Sequence, residues 1–229
     1  MNNGPGPIMQ RQAGLYALLR RSVIYRALQS ILRTDDNRAL LVRRWIRPRP
    51  GDRVVDIGCG PGTMVPYLQD TVYTGVEIEK SYIDSANARY GDRATFIHAD
   101  IDGVCDKIES GVDIVLAIAV LHHLNDRQAR QLFRAARALL KTGGRLVTFD
   151  CVLTSPQHPI ARLLIRMDRG RHVRTAEAYL ALAREFFSCV ECETRHDLLR
   201  VPYDHFIMVC ENPNDVIFPE TAAEPNRRG

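Results

Sequence analysis

The chain has 229 residues, of which 45% are hydrophobic and 25% charged, enough to bury a full core as one domain or one domain with a small accessory piece. Such a composition excludes collagen, a disulfide scaffold and wholesale disorder. The net charge of +4 is unevenly spread: residues 1–50 hold ten Arg against Asp35 and Asp36, so an acidic body carries a basic N-terminal extension. A nucleic-acid or membrane handle and the solvated face of amphipathic helices are both open readings of that asymmetry.

In chain order, apolar residues recur at helical spacing over 13–32 and a second helix is expected over 36–47. The breaker Arg47-Pro48-Arg49-Pro50-Gly51 follows. Beyond it short strand patterns at 53–57, 72–78, 94–98, 112–118 and 145–150 alternate with helical patterns at 64–69, 81–90 and 126–140. Lys141-Thr142-Gly143-Gly144 reads as the end of the last of these helices. An atypical insert with one short helix occupies 155–174, a helix is expected over 176–187, and strands at 189–195 and 204–210 stand too close for a crossover helix and should pair antiparallel.

These elements predict an α/β fold: a doubly wound, Rossmann-like seven-stranded sheet, mainly parallel with an antiparallel closing strand, and helices on both faces. The expected organisation is an N-terminal helical lid over 1–47, a ligand-binding domain over 48–211 containing the insert, and a flexible tail over 212–229. The N-terminus lacks an apolar leader pattern and six cysteines fit a reducing compartment, so the expected location is the cytoplasm. The longest apolar run, Ile114 to Leu121, is too short for a membrane span. Cys189 and Cys192 form a CxxC on a predicted strand, where residues three apart face opposite sides, and no metal site is expected.

Val54-Val55-Asp56-Ile57-Gly58-Cys59-Gly60-Pro61-Gly62 is an apolar strand running into a glycine-dense turn, a backbone that can approach a ligand closely. Its GxGxG spacing lacks the third glycine of a dinucleotide fingerprint, which counts against a nicotinamide enzyme. Glu77 ends the second strand and could accept from ribose hydroxyls; Asp100 follows the third and could accept from an adenine amine. Together they point to an adenosine-containing ligand without a pyrophosphate.

VVDIGCGPG, GVEIE, IHAD, DIVLAIAVLHHL and LKTGGRLVTFD, in that order, resemble the motifs of class I S-adenosylmethionine-dependent methyltransferases, most closely over residues 50–150. The resemblance implies S-adenosylmethionine as cofactor and S-adenosylhomocysteine as product. It implies further that Asp56, Gly58, Cys59, Gly60 and Gly62 surround the methionine part, Glu77 the ribose, Asp100 and the Ile101 backbone the adenine, and that the Ala117 carbonyl lies near the sulfonium.

His122 and His123 follow the fourth strand and Asp150 ends the fifth, so neighbouring parallel strands bring a His–Asp pair to one edge. The arrangement is similar to sugar O-methyltransferases of the rebeccamycin type, which implies His122 as base with Asp150 orienting it. Where methyltransferases of nucleic-acid bases and glutamine amides carry an [Asp/Asn]-Pro-Pro-aromatic turn, this chain has Ala119-Val120-Leu121-His122, so the resemblance implies a small molecule rather than nucleic acid as partner. The expected reaction is methyl transfer to a hydroxyl, less readily an amine or carbon, of a small metabolite. The alternatives are a peripheral-membrane enzyme for a lipid-like or quinone-like acceptor and a catalytically silent binding module. Arg162, Arg166, Arg169, Arg171 and Arg174 of the insert would suit an anionic acceptor, or simply form a solvated face. Tyr16 and Tyr25 on the first helix are candidates to cap the cleft. The oligomeric state is not legible.

Overall fold

The computed structural model describes residues 35–167, 172–199 and 201–212. The expected helix over 13–32, with Tyr16 and Tyr25, lies outside these residues, as do Arg169, Arg171 and the tail from 213.

The first described helix, α1 (Asp35–Leu41), runs on as a π-helical turn over Val42–Ile46 and stops at Arg47, whose φ of 48° is left-handed. Trp45 and Ile46 of that turn are buried, and the Arg145 guanidinium donates to the carbonyls of Ile46 and Arg47, capping the helix end against the sheet.

The strands are β1 (Arg53–Ile57), β2 (Val72–Glu77), β3 (Thr95–His98), β4 (Val112–Ile118), β5 (Leu140–Leu153), β6 (Arg174–Thr175), β7 (Cys189–Arg195) and β8 (His205–Glu211). They lie in the order β3-β2-β1-β4-β5-β8-β7, with the two-residue β6 paired to β5 off that path. β1 to β5 are mutually parallel where they pair, and β8 runs antiparallel to both β5 and β7. The doubly wound reading thus holds, with β6 as an eighth, unexpected strand where the insert returns to the sheet.

Helices α2 (Lys80–Tyr90), α3 (Val104–Lys107), α4 (Asp126–Leu139), α5 (Pro159–Met167) and α6 (Ala176–Arg184) complete the described fold. α4 shows why the local sequence suffices. Asn125 caps it by accepting from the Gln128 N–H at 2.9 Å while the Gln128 side chain accepts from the Asn125 N–H at 3.1 Å. Ala129, Leu132, Phe133, Ala136 and Leu139 then recur on one side and bury themselves against Val55, Val115, Leu146 and Met208 of the sheet core. On the opposite face Leu41, Trp45 and Ile46 pack with Val54, Ile114, Leu116, Val147 and Ile207. β4, central and covered on both faces, is accordingly almost entirely apolar.

Three expectations change. The helix over 64–69 is only a 3₁₀ turn, Val65–Tyr67, which ends where Leu68 leaves helical geometry at φ −123° and ψ 45°. The short helix α3 was not expected. The stretch 141–144, read as a helix end, is already strand: β5 begins at Leu140, opposite Val112, with a register shift before Ile114. Asn212 supplies the reason, donating from its amide to the Leu140 and Lys141 carbonyls and exchanging backbone hydrogen bonds with Gly143 and Gly144. Asn212, assigned to the tail by the sequence reading, is itself buried.

Candidate active site

The register sets which side chains meet at the carboxyl edge of the sheet: Asp56 stands opposite Leu116, Ile57 opposite Val76, and Ile118 opposite Phe149. Ligand sites of open α/β sheets form along this edge.

After β1 the chain turns sharply, with the N–H groups of Gly58 and Cys59 both donating to the Val76 carbonyl at 2.8 and 3.1 Å. Gly58 has a φ of +77°, and a Cβ placed there would stand 2.6 Å from Val120 Cγ2, so the position requires glycine twice over. Cys59 is buried with its sulfur against Gly75, which has no side chain to obstruct it. Burial, and the carboxylates of Asp56 and Glu77, push the Cys59 thiol well up, so it stays protonated and unreactive. Gly60 donates to Glu77 Oε2 at 3.0 Å, while Glu77 Oε1 accepts from the N–H groups of Ile78 and Glu79 at 2.9 and 3.0 Å. The Glu77 carboxylate therefore ties the glycine loop to the end of β2.

Asp56 is buried beneath this loop and accepts from the Tyr73 hydroxyl at 2.6 Å. Its second oxygen, Oδ1, is buried with no hydrogen-bond partner among the described residues. Burial raises its carboxyl from 3.8 to about 6; the Tyr73 bond holds it down and the Glu77 charge pushes it up. Tyr73 was not anticipated as a site residue. Its only signal was the strand alternation that turns β2 residues toward the same face as Asp56.

Asp100 is exposed and accepts from the Gly103 N–H at 2.9 Å, closing the turn that starts α3; Ile101 beside it is half-buried. Ala117 lies buried inside β4 opposite Thr148, one residue short of the strand end. At Ala119 the chain takes a φ of +61°, uncommon outside glycine, and doubles back into a 3₁₀ turn over Leu121–His123.

That reversal delivers His122 to Asp150. Nδ1 lies 2.8 Å from Asp150 Oδ1, the same oxygen accepts the His122 N–H at 3.2 Å, and both side chains are buried. A carboxylate can only accept, so the imidazole proton sits on Nδ1 and Nε2 is the basic nitrogen. His123 is exposed, its ring centroid 4.0 Å from that of His122 with the planes tilted by 44°. Arg166 and Arg162 are exposed on α5. Arg174, an insert arginine first grouped with them, turns inward instead: its side chain is 9% exposed and holds the carbonyls of Leu121, Leu124 and His172. A second His–carboxylate pair, also unforeseen, joins His196 Nδ1 to Asp204 Oδ1 at 2.6 Å. Asp204 accepts in addition from Thr154 and Gln157, and these bonds hold its carboxyl below the usual range despite burial.

Residues 54–144 match a family profile described as a methyltransferase domain. Over this stretch the chain is similar to methyltransferase domains. Its residues fit S-adenosylmethionine as cofactor: the orphaned Asp56 Oδ1 suits the ammonium of the methionine moiety, and the glycine loop leaves backbone room beside it.

Among similar proteins is the 27-O-demethylrifamycin SV methyltransferase of Amycolatopsis mediterranei, 34% identical over 113 residues, covering 46% of this chain and 40% of that protein. An O-methyltransferase of Pyrenophora dematioidea is 29% identical over 133 residues, covering 55% of this chain and 49% of that one. The chain thus spans less than half the length of these methyltransferases. In fold it is similar to the solved S-adenosylmethionine-dependent methyltransferase SibL in its apo form, with a TM-score of 0.64 and 20% identity over 88% of this chain and 60% of that one.

Proposed function

We propose that the protein transfers the methyl group of S-adenosylmethionine to a hydroxyl of a small metabolite, releasing S-adenosylhomocysteine, with His122 as the base. The observation that carries this reading is the buried His122–Asp150 pair at the edge shared with the glycine loop. Two relatives bearing O-methyltransferase names support it.

The cofactor supplies an electrophilic methyl carbon on a cationic sulfur. The chain's part is to place an acceptor oxygen in line and to take its proton. As the acceptor oxygen takes the methyl group, Nε2 of His122 would receive the hydroxyl proton, and the Asp150 carboxylate would stabilise the imidazolium through Nδ1–H. A base of this kind contributes about 10²–10⁴-fold. Asp56 would hold the ammonium, Glu77 the ribose hydroxyls, and Asp100 with the Ile101 backbone the adenine. The glycine loop confines the methionine portion. Held alignment contributes several kcal/mol more.

The test is release of S-adenosylhomocysteine across a panel of hydroxylated, carboxylated and amine metabolites, with NMR locating the added methyl. A hydroxyl product that disappears in His122→Ala supports the reading; methylation confined to amines or carbon overturns it.

A second reading, an acceptor drawn from an anionic membrane, is favoured by one observation. Ile160 and Leu163 on α5 are 46% and 57% exposed beside the exposed Arg162 and Arg166. Among the described residues no helix is long and apolar enough to cross a membrane, so such contact would be peripheral. Flotation with anionic vesicles separates the two readings, since an enzyme for a soluble acceptor stays in the bottom fraction.

A further inference from the structure

The turn that carries His122 has little to hold it by itself. It is three residues long, follows a left-handed Ala119, and contains two internal backbone bonds, His123 N–H to the Val120 carbonyl and Leu124 N–H to the Leu121 carbonyl. A single 3₁₀ turn of this length is marginal without outside support.

The support arrives from the far end of the insert. Arg174 Nη1 donates to the carbonyls of Leu121 and His172, both at 3.0 Å. Nη2 donates to the Leu124 carbonyl and to Asp126 Oδ1, both at 2.7 Å, and Nε reaches the same Asp126 oxygen at 3.1 Å. The His172 N–H meanwhile donates to the His122 carbonyl at 3.0 Å. Three carbonyls of the turn, Leu121, His122 and Leu124, are thus taken by residues 172 and 174. The guanidinium also lies 5.6 Å over the Tyr179 ring, whose hydroxyl donates to the carbonyl of Cys151, the neighbour of Asp150.

From this geometry we infer that Arg174 is a positioning residue for His122, fixing the turn so that Nδ1 stays on Asp150. The inference rests on the reading of His122–Asp150 as the working pair. A rigid planar fork of donors satisfies carbonyls in several directions at once, and a lysine ammonium on the same stem does not reproduce it. The insert thereby gains a hold on the turn that carries the base.

The test is NMR of the full chain with 15N-labelled histidine, following exchange of the His122 Nδ1 proton with water, alongside calorimetric binding of S-adenosylhomocysteine. Wild type should show a hydrogen-bonded Nδ1 proton that Asp150→Asn abolishes; its absence from wild type would overturn the pair itself, and the base of the proposed function with it. In Arg174→Lys and Arg174→Met the exchange should quicken at least tenfold while S-adenosylhomocysteine affinity stays within about twofold. Wild-type exchange in both variants overturns the role of Arg174 alone. Should both fail to fold, Asp126→Asn decides. It weakens the anchor on two of the guanidinium nitrogens at an exposed carboxylate, and should quicken exchange about threefold; unchanged exchange there overturns the inference.

Discussion

Replacing Asp56 by Asn isolates the cost of keeping a carboxyl at the end of β1. The side chain is 2% exposed, and burial moves its titration from 3.8 to about 6. Between those values the native protein holds a proton that the unfolded chain has released, so native stability falls as pH rises from about 4 to about 6. Above that range the ionised carboxyl costs about 3 kcal/mol. Asn keeps the shape and can still accept from Tyr73, but it cannot ionise. Its amide donors, placed where Oδ1 finds no partner, offset about 1–2 kcal/mol of the relief at every pH. The diagnostic is therefore the slope: the Tm of the variant minus that of wild type, both ligand-free, should climb by about 5–10 °C between pH 4 and pH 8. In the same variant S-adenosylhomocysteine should bind about 10–100-fold more weakly at pH 8, because the carboxylate for its ammonium is gone. Differential scanning fluorimetry and titration calorimetry read the two effects. A Tm difference that does not change with pH refutes the strained carboxylate, and undiminished affinity removes Asp56 from the cofactor site.

The other expectations concern the same edge. Wild type should lose S-adenosylhomocysteine affinity as pH falls through about 6; Tyr73→Phe removes the bond that holds the Asp56 carboxyl down, so that loss should set in about one pH unit higher. Superimposable pH profiles would contradict this. His122→Ala and Asp150→Asn should each lower kcat by about 10²–10⁴-fold with S-adenosylhomocysteine binding unchanged; turnover within a few-fold of wild type would mean that alignment alone drives the transfer. Gly58→Ala forces a methyl group to within 2.6 Å of Val120 at a left-handed φ, and should lower Tm by several degrees and weaken cofactor binding, as thermal melts with and without S-adenosylhomocysteine would show.

What could be read from the sequence was what local rules determine. The apolar runs into Asp56 and Glu77, the glycines between them and the helical pattern at 126–140 depend on neighbours a few positions away, and each gave the correct element. The meeting of His122 with Asp150 was legible because adjacent parallel strands leave little choice of partner. Arg174 was not, since its partners are carbonyls some 50 residues upstream and nothing in an arginine-rich insert distinguishes an inward guanidinium from outward ones. Tyr73 was missed for a related reason: which strand faces share a cavity depends on the register of β1 with β2. The start of β5 escaped because it is imposed by Asn212, a residue more than 70 positions away from Leu140 in the chain.

The insert leaves β5 where Thr154 and Gln157 are bonded to Asp204, and returns at Arg174, which grips the turn after β4. Both ends are fastened by side chains to the sheet edge, whereas α5 between them meets solvent through Ile160, Arg162, Leu163 and Arg166. The outer face of α5, at Ile160, Arg162, Leu163 and Arg166, is therefore open to sequence change, while buried Ala161 and Ile165 and the two fastened ends keep the helix on the fold.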